Sequence, residues 1–217
     1  SSNTDGSINT TYTSVNTTAG FSISKYTGTG SDATVGHGLG VTPKIVFFKR
    51  LDSSANWVVQ SPLLGNKVQL VLNDTTAGNT DSRLGASDNW SNQVFTVGTY
   101  GDMNGNGGTY VAYAFAEKKG YSKFGKYTGN GNADGSFIYT GFKPGWVLWK
   151  RTDTTAGWYL LDTVREPTNG NGRYLLPAES DAEQNDSSKA DLLSNGFKLR
   201  NTDGSKNASG GSYVYHA

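Results

Sequence analysis

The chain carries two histidines, His37 and His216, and no cysteine. A Ser-His-Asp triad or a zinc centre needs a histidine with converging partners, and zinc without thiolates leans on several imidazoles. His37 stands in a glycine-rich loop and His216 in an expected final strand, so each reads as a solvated or hydrogen-bonding side chain. Carboxylates are the next chemistry to weigh. Glycoside hydrolysis needs two acids facing each other across a sugar. Asp52 and Asp153 each follow a Lys-Arg pair, where an aspartate that caps its own backbone in a turn explains both. Glu166, Glu179, Asp181 and Glu183 crowd one loop region and remain the alternative acidic cluster.

Two glycine-rich stretches invite a ligand. "SKYTGTGSDATVGHGLG", residues 24–40, leads into Pro43 and a strand, whereas a phosphate cradle must open a helix. "NGNADGS", residues 130–136, offers oxygen ligands but lacks the closing glutamate of an EF-hand loop. No catalytic residue, metal or cofactor is therefore expected. The aromatic residues are more informative: 5 Trp, 12 Tyr and 9 Phe. Trp90 lies in "GASDNWSNQ" beside Asp88, Asn89 and Asn92, and "TYGDMNGNGG" adds Tyr100, Asn104 and Asn106. An aromatic flanked by amides can stack on a sugar ring while the amides bond its hydroxyls. These seven residues form the expected glycan-contacting loop tips.

The elements that position them repeat. "KYTGTGSDATVGHGLGVTPKIVFFKRLDSSANW" from Lys25 aligns without a gap with "KYTGNGNADGSFIYTGFKPGWVLWKRTDTTAGW" from Lys126. Pro43 meets Pro144, Asp52 meets Asp153, and Trp57 meets Trp158, an offset of 158 − 57 = 101. Gly108-Thr109-Tyr110-Val111 meets Gly211-Ser212-Tyr213-Val214 at 211 − 108 = 103. Glycines kept in both copies read as turn geometry rather than ligand chemistry. An internal duplication of a module of roughly a hundred residues follows.

Within each copy, short apolar runs and period-two alternation alternate with Gly, Asn, Asp and Ser clusters, the pattern of strands and turns. "FSISKYT", "KIVFFKR" and "TYVAYAFAE" are examples, matched by "KFGKYTG", "GWVLWKR" and "GSYVYHA". Only residues 178–194 read as a surface helical turn or two. The expected fold is all-β: two tandem sandwich-like, jelly-roll-like modules, at 21–120 and 121–217. A strand or linker at 1–20 precedes them, and the last strand of the second module ends short.

Net charge is +1 with no basic block, so nucleic acid is not an expected partner. No apolar run approaches the ~18 residues of a membrane span, and the polar start lacks the layout of a signal peptide.

The stretches "GFSISKYTGTGSDATVGHGLGVTPKIVFFKR", "GTYVAYAFAE", "GYSKFGKYTGNGNADGSFIYTGFKPGWVLWKRTD" and "LLSNGFKLRNTDG" resemble modules of structural proteins of tailed bacteriophages, particularly marine and cyanobacterial ones. Such modules recur in tail fibres and other virion appendages. The resemblance implies a noncatalytic protein on the virion surface, assembled with other virion subunits and as a homo-oligomer, with host surface glycans as partners. A capsid-decorating or fibre-shaft protein without a ligand is the alternative, and a polysaccharide depolymerase a third reading.

Overall fold

The computed structural model describes the backbone of all 217 residues, and the side chains of all but Asn171 and residues 186–188. Strands β1 (Tyr12–Asn16), β2 (Phe21–Thr27), β3 (Ala33–Gly36), β4 (Ile45–Arg50), β5 (Trp57–Gln60), β6 (Val68–Val71), β7 (Asn79–Thr80), β8 (Val94–Val97) and β9 (Thr109–Phe115) build a first unit with one-turn helix α1 (Gly101–Asn104). Strands β10 (Phe124–Thr128), β11 (Phe137–Tyr139), β12 (Trp146–Arg151), β13 (Trp158–Asp162), β14 (Asn171–Tyr174), β15 (Gln184–Leu193), β16 (Gly196–Leu199) and β17 (Ser212–His216) build a second with one-turn helix α2 (Gly204–Asn207). The fold is all-β. The first unit comprises Ser1–Leu72 and Gly78–Lys118, the second Asn73–Ala77 and Lys119–Ala217.

In the first unit a seven-stranded sheet runs β1-β2-β9-β4-β5-β6-β7, and β3 and β8 pair separately. The unbroken apolar run of β4 is why it sits inside the sheet: Ile45 to Phe48 are all buried, as a strand covered on both faces requires. β2 alternates instead, turning Ser22, Ser24 and Tyr26 inward. Tyr26, Phe48, Val58, Leu84, Phe95 and Tyr110 lie in one core. Residues 1–20 belong to this unit. Ile8 bridges Val35 in parallel and lies in the same core, and β1 forms the edge of the large sheet.

The second unit has two four-stranded sheets, β10-β17-β12-β13 and β11-β16-β15-β14, joined by a bridge between Leu160 and Leu175. Trp149, Leu161, Phe197 and Tyr213 lie in its core.

The structure corrects the expected helical turns at 178–194: residues 184–193 form β15. Its C-terminal half pairs with β16, Ala190 opposite Leu199 and Leu192 opposite Phe197, and these four apolar residues are buried. That pairing outweighs the polar composition of the segment.

Candidate functional site

The repeated residues converge first on a buried polar clasp. Asn104, at the end of α1, is fully buried. Its Oδ1 accepts from the Thr29 amide at 2.9 Å, while its Nδ2 donates to Ser31 O and Gly98 O, each at 2.7 Å. The Tyr26 hydroxyl donates to Met103 O at 2.6 Å. The Tyr110 hydroxyl donates to Gly101 O at 2.6 Å and accepts from the Gly105 amide at 2.8 Å. The helix is too short to hold itself, so side chains from the sheet satisfy its ends.

The second unit repeats the arrangement residue for residue. Asn207 Oδ1 accepts from the Asn130 amide at 2.9 Å, and its Nδ2 donates to Asn132 O at 2.8 Å and Asn201 O at 2.9 Å. Tyr127 donates to Lys206 O, and Tyr213 joins Gly204 O and the Ala208 amide. Gly30 and Gly131 bond the carbonyls of these asparagines with φ of 70° and 65°, a conformation that favours glycine. Burial pushes the Tyr26 and Tyr127 hydroxyls well above their usual range, so both remain donors.

The clasp and the core absorb much of the expected glycan site. Asn104 is unavailable to a ligand because its amide fills the clasp. Trp90 is a second correction. It is 7% exposed and belongs to the first unit's core, edge-on to Phe95 at 6.4 Å between centroids. The 3-10 turn Ser87–Asn89 delivers it inward. Tyr100 is half-buried, with the Arg83 guanidinium over its ring at 4.8 Å. Asp88, Asn89, Asn92 and Asn106 are exposed.

The other chemical candidates are similarly engaged. Asp52 pairs with Arg50 at 2.8 Å and Asp153 with Arg151 at 2.7 Å; hydrogen bonds from these arginines hold both carboxyls below the usual range. Glu166 accepts from the Gly172 and Arg173 amides, and Glu183 pairs with Arg165 and Arg173. In "NGNADGS", Asn130 and Asn132 side chains accept from backbone amides two residues on.

Neither histidine is solvated. His37 is fully buried; its Nδ1 accepts from the Leu39 amide at 3.1 Å, which leaves Nε2 as the donor to Ser91 O at 3.2 Å. Burial lowers its pKa. His216 stacks on Phe124 at 4.1 Å between centroids and meets Trp146 edge-on at 4.7 Å. Burial drives its pKa down to about 3. An imidazole neutral in the fold but free to protonate when unfolded stabilises the fold fully above about pH 6.5 and progressively less as pH falls toward 3. At pH 5 this loss is expected to reach about 2 kcal/mol in the second unit, at about 1.4 kcal/mol per pH unit. Urea denaturation at pH 7.5 and pH 5 should show a smaller drop in His216→Gln than in wild type; equal drops would contradict it.

What remains open is a groove of the first unit with a volume of about 380 Å³. Ser7, Asp32 and Thr34 line one side, and Lys67, Asn89 and Thr96 complete the polar lining. Ser7 Oγ accepts from the Thr34 amide at 2.9 Å, fixing the rim where the N-terminal segment lies along β3. Lys67 has φ of 54°, the one positive value outside glycine among the described residues. Its Nζ donates to Ser82 O at 2.7 Å. Strain of this kind costs about 1–3 kcal/mol and persists where the surroundings hold it. Asp32 and Asn89 are exposed, and no side-chain hydrogen bond occupies either among the described residues. Sequence reasoning found Asn89 and missed the rest, because the lining comes from five separated segments. Among the described residues no group of three or more His, Asp or Glu could hold a metal ion, and no helix is long and apolar enough to cross a membrane.

No curated protein and no solved structure matches the chain. A family model described as a domain of unknown function, DUF7483, matches residues 1–217, and the chain belongs to that family.

Proposed function

We propose that this family member is a noncatalytic module of a bacteriophage virion appendage, which binds host surface glycans through the groove of its first unit. The observation that carries the binding reading is the pair Asp32 and Asn89. Both side chains line the groove with free hydrogen-bonding capacity, beside a lysine held in a left-handed conformation. A carboxylate, an amide and an ammonium around an open groove suit the several hydroxyls of a saccharide, each of which can donate and accept. The resemblance to phage appendage modules supports the virion surface, other virion subunits and a homo-oligomeric state as its setting. Against a hydrolytic role stands the engagement of Asp52, Asp153, Glu166 and Glu183 by arginines or backbone amides.

Lys67→Gly separates binding from folding. Glycine accepts the positive φ without strain, so stability is expected to stay within about 1 kcal/mol of wild type. Adsorption of the labelled chain to host cells, competed by their purified surface polysaccharide, should fall at least tenfold. Undiminished adsorption, or adsorption that the polysaccharide does not compete, would remove the groove from this role.

A further inference from the structure

In the first unit, β3 pairs with β8 on one side, Val35 opposite Phe95, and the N-terminal segment covers its other edge. Ile8 donates its amide to Thr34 O at 2.9 Å. Asn3 fills the space beside Gly36, where an added Cβ would lie 1.7 Å from Asn3 Oδ1. In the second unit β11 takes the same place, with Ile138 opposite Phe197 of β16. Here β11 ends its sheet, and among the described residues no strand pairs with its outer edge. By strand pairing, two residues later than the gapless sequence alignment sets them, Phe137 and Tyr139 hold the places of Thr34 and Gly36, and they are 46% and 64% exposed.

Both rings point outward, since Ile138 between them is buried, and strand geometry sets them about 7 Å apart. Phe137 leans over Gly196, whose added Cβ would lie 3.0 Å from the ring. Tyr139 stands beside Gly141, where the hydroxyl would be 3.5 Å from such a Cβ. Gly196, opposite Tyr139, adds no side chain to this face, while Lys198 stands opposite Phe137. Next to Phe137, Lys198 pairs with Asp134 at 2.9 Å, and Arg200 pairs with Asp191 at 2.5 Å and Asp134 at 3.4 Å. Two cations and two carboxylates thus offset one another on this face.

We propose that the outer face of β11 and β16 is a second saccharide-binding platform, selective for neutral polysaccharide, with Phe137 and Tyr139 as its stacking surface. A covering segment like residues 3–8 lies against Gly36 because a Cβ there would meet Asn3, and by strand pairing the corresponding residue of β11, Tyr139, carries a side chain. The area does not suit a stable protein interface. Two aromatic rings about half exposed offer about 200–300 Å², whereas a standard interface buries about 800 Å² on each partner. Flat apolar rings bordered by fixed polar groups match a pyranose, which presents an apolar C–H face and equatorial hydroxyls. The balanced charge gives an anionic chain no advantage. The platform shares only its ligand class with the groove of the first unit and lies on different residues.

The test is affinity electrophoresis of the whole chain through gels containing dextran, mannan, laminarin, galactan or the anionic polymer alginate. Migration is expected to slow in at least one neutral gel. Phe137→Ala/Tyr139→Ala should reduce the apparent affinity at least tenfold, Tyr139→Phe should stay within about threefold of wild type because the ring remains, and Lys67→Gly should leave migration in that gel unchanged. Both rings are exposed, and an unchanged melting temperature would establish that the double variant is folded. The proposal is overturned by free migration in all four neutral gels, by retardation in alginate alone, or by retardation that survives the double substitution. It is equally overturned if Lys67→Gly abolishes the retardation, which assigns it to the groove, or if the double substitution instead abolishes self-association in sedimentation, which assigns the face to a second copy.

Discussion

Asn104→Asp is expected to destabilise the first unit by about 4 kcal/mol at pH 8. The replacement keeps the shape of the side chain and removes its two donors. A carboxylate would then face Ser31 O and Gly98 O, which the amide now serves at 2.7 Å each, in a fully buried position. Removing one partner of a buried bond costs about 1–3 kcal/mol, and more when a charge is left unpaired. Asn207→Asp should do the same to the second unit, where Asn132 O and Asn201 O lose their donor. The variants carry a pH signature. Burial raises the carboxyl pKa above its unfolded value, so stability should recover as pH falls and the acid regains a proton to donate. Urea denaturation between pH 8 and pH 5 measures both effects. A loss under 1 kcal/mol, or one independent of pH, would contradict the clasp.

Trp90→Ala is expected to cost the first unit about 3–5 kcal/mol, the usual range for emptying a large core site. Trp90→Phe should cost less than about 1.5 kcal/mol. It retains most of the ring packed on Phe95 and removes a buried indole N–H that has no acceptor, so part of the lost volume is offset. The pair distinguishes a core residue from a sugar-stacking one. If Trp90→Phe remains stable but abolishes saccharide binding, the side chain contacts ligand after all.

The contrast between Trp90 and Phe137 shows how far sequence reading reaches. Tandem strands were legible because Pro43 and Pro144, and the two Lys-Arg pairs, keep register through two copies. Asn104 was also legible in principle. Its counterpart Asn207 stands in the same alignment, and a polar residue kept in both copies points to architecture more than to a ligand. Between the two aligned stretches, where the offset passes from 101 to 103, Leu192 stands at 192 − 90 = 102 from Trp90, an apolar counterpart that fits a core better than a loop tip; Leu192 is indeed buried. The polar neighbours of Trp90 point to a loop tip, yet Asp88 and Asn89 are exposed on the turn that directs the indole inward.

Other features were not legible for physical reasons. β15 lacks apolar alternation over most of its length, and pairing with β14 at one end and β16 at the other makes it a strand. β3 hides in a glycine-rich stretch, because its partners are β8 and the bridging Ile8, both distant in sequence. The groove exists only where residues 7, 32–34, 67, 84–86, 89 and 96–97 meet. The platform on β11 reads in the sequence as one more apolar strand, and its exposure goes with an outer edge on which no strand pairs among the described residues.

A glycan array probed in parallel with wild-type protein, Lys67→Gly, Asn89→Ala and Trp90→Phe tests the binding role most directly. Wild type and Trp90→Phe should label the same glycans, while Lys67→Gly and Asn89→Ala should each lose at least tenfold in signal on those bound through the groove. Labelling of no glycan by the wild-type chain, or equal labelling by all four proteins, would contradict a glycan-binding appendage module built around this groove.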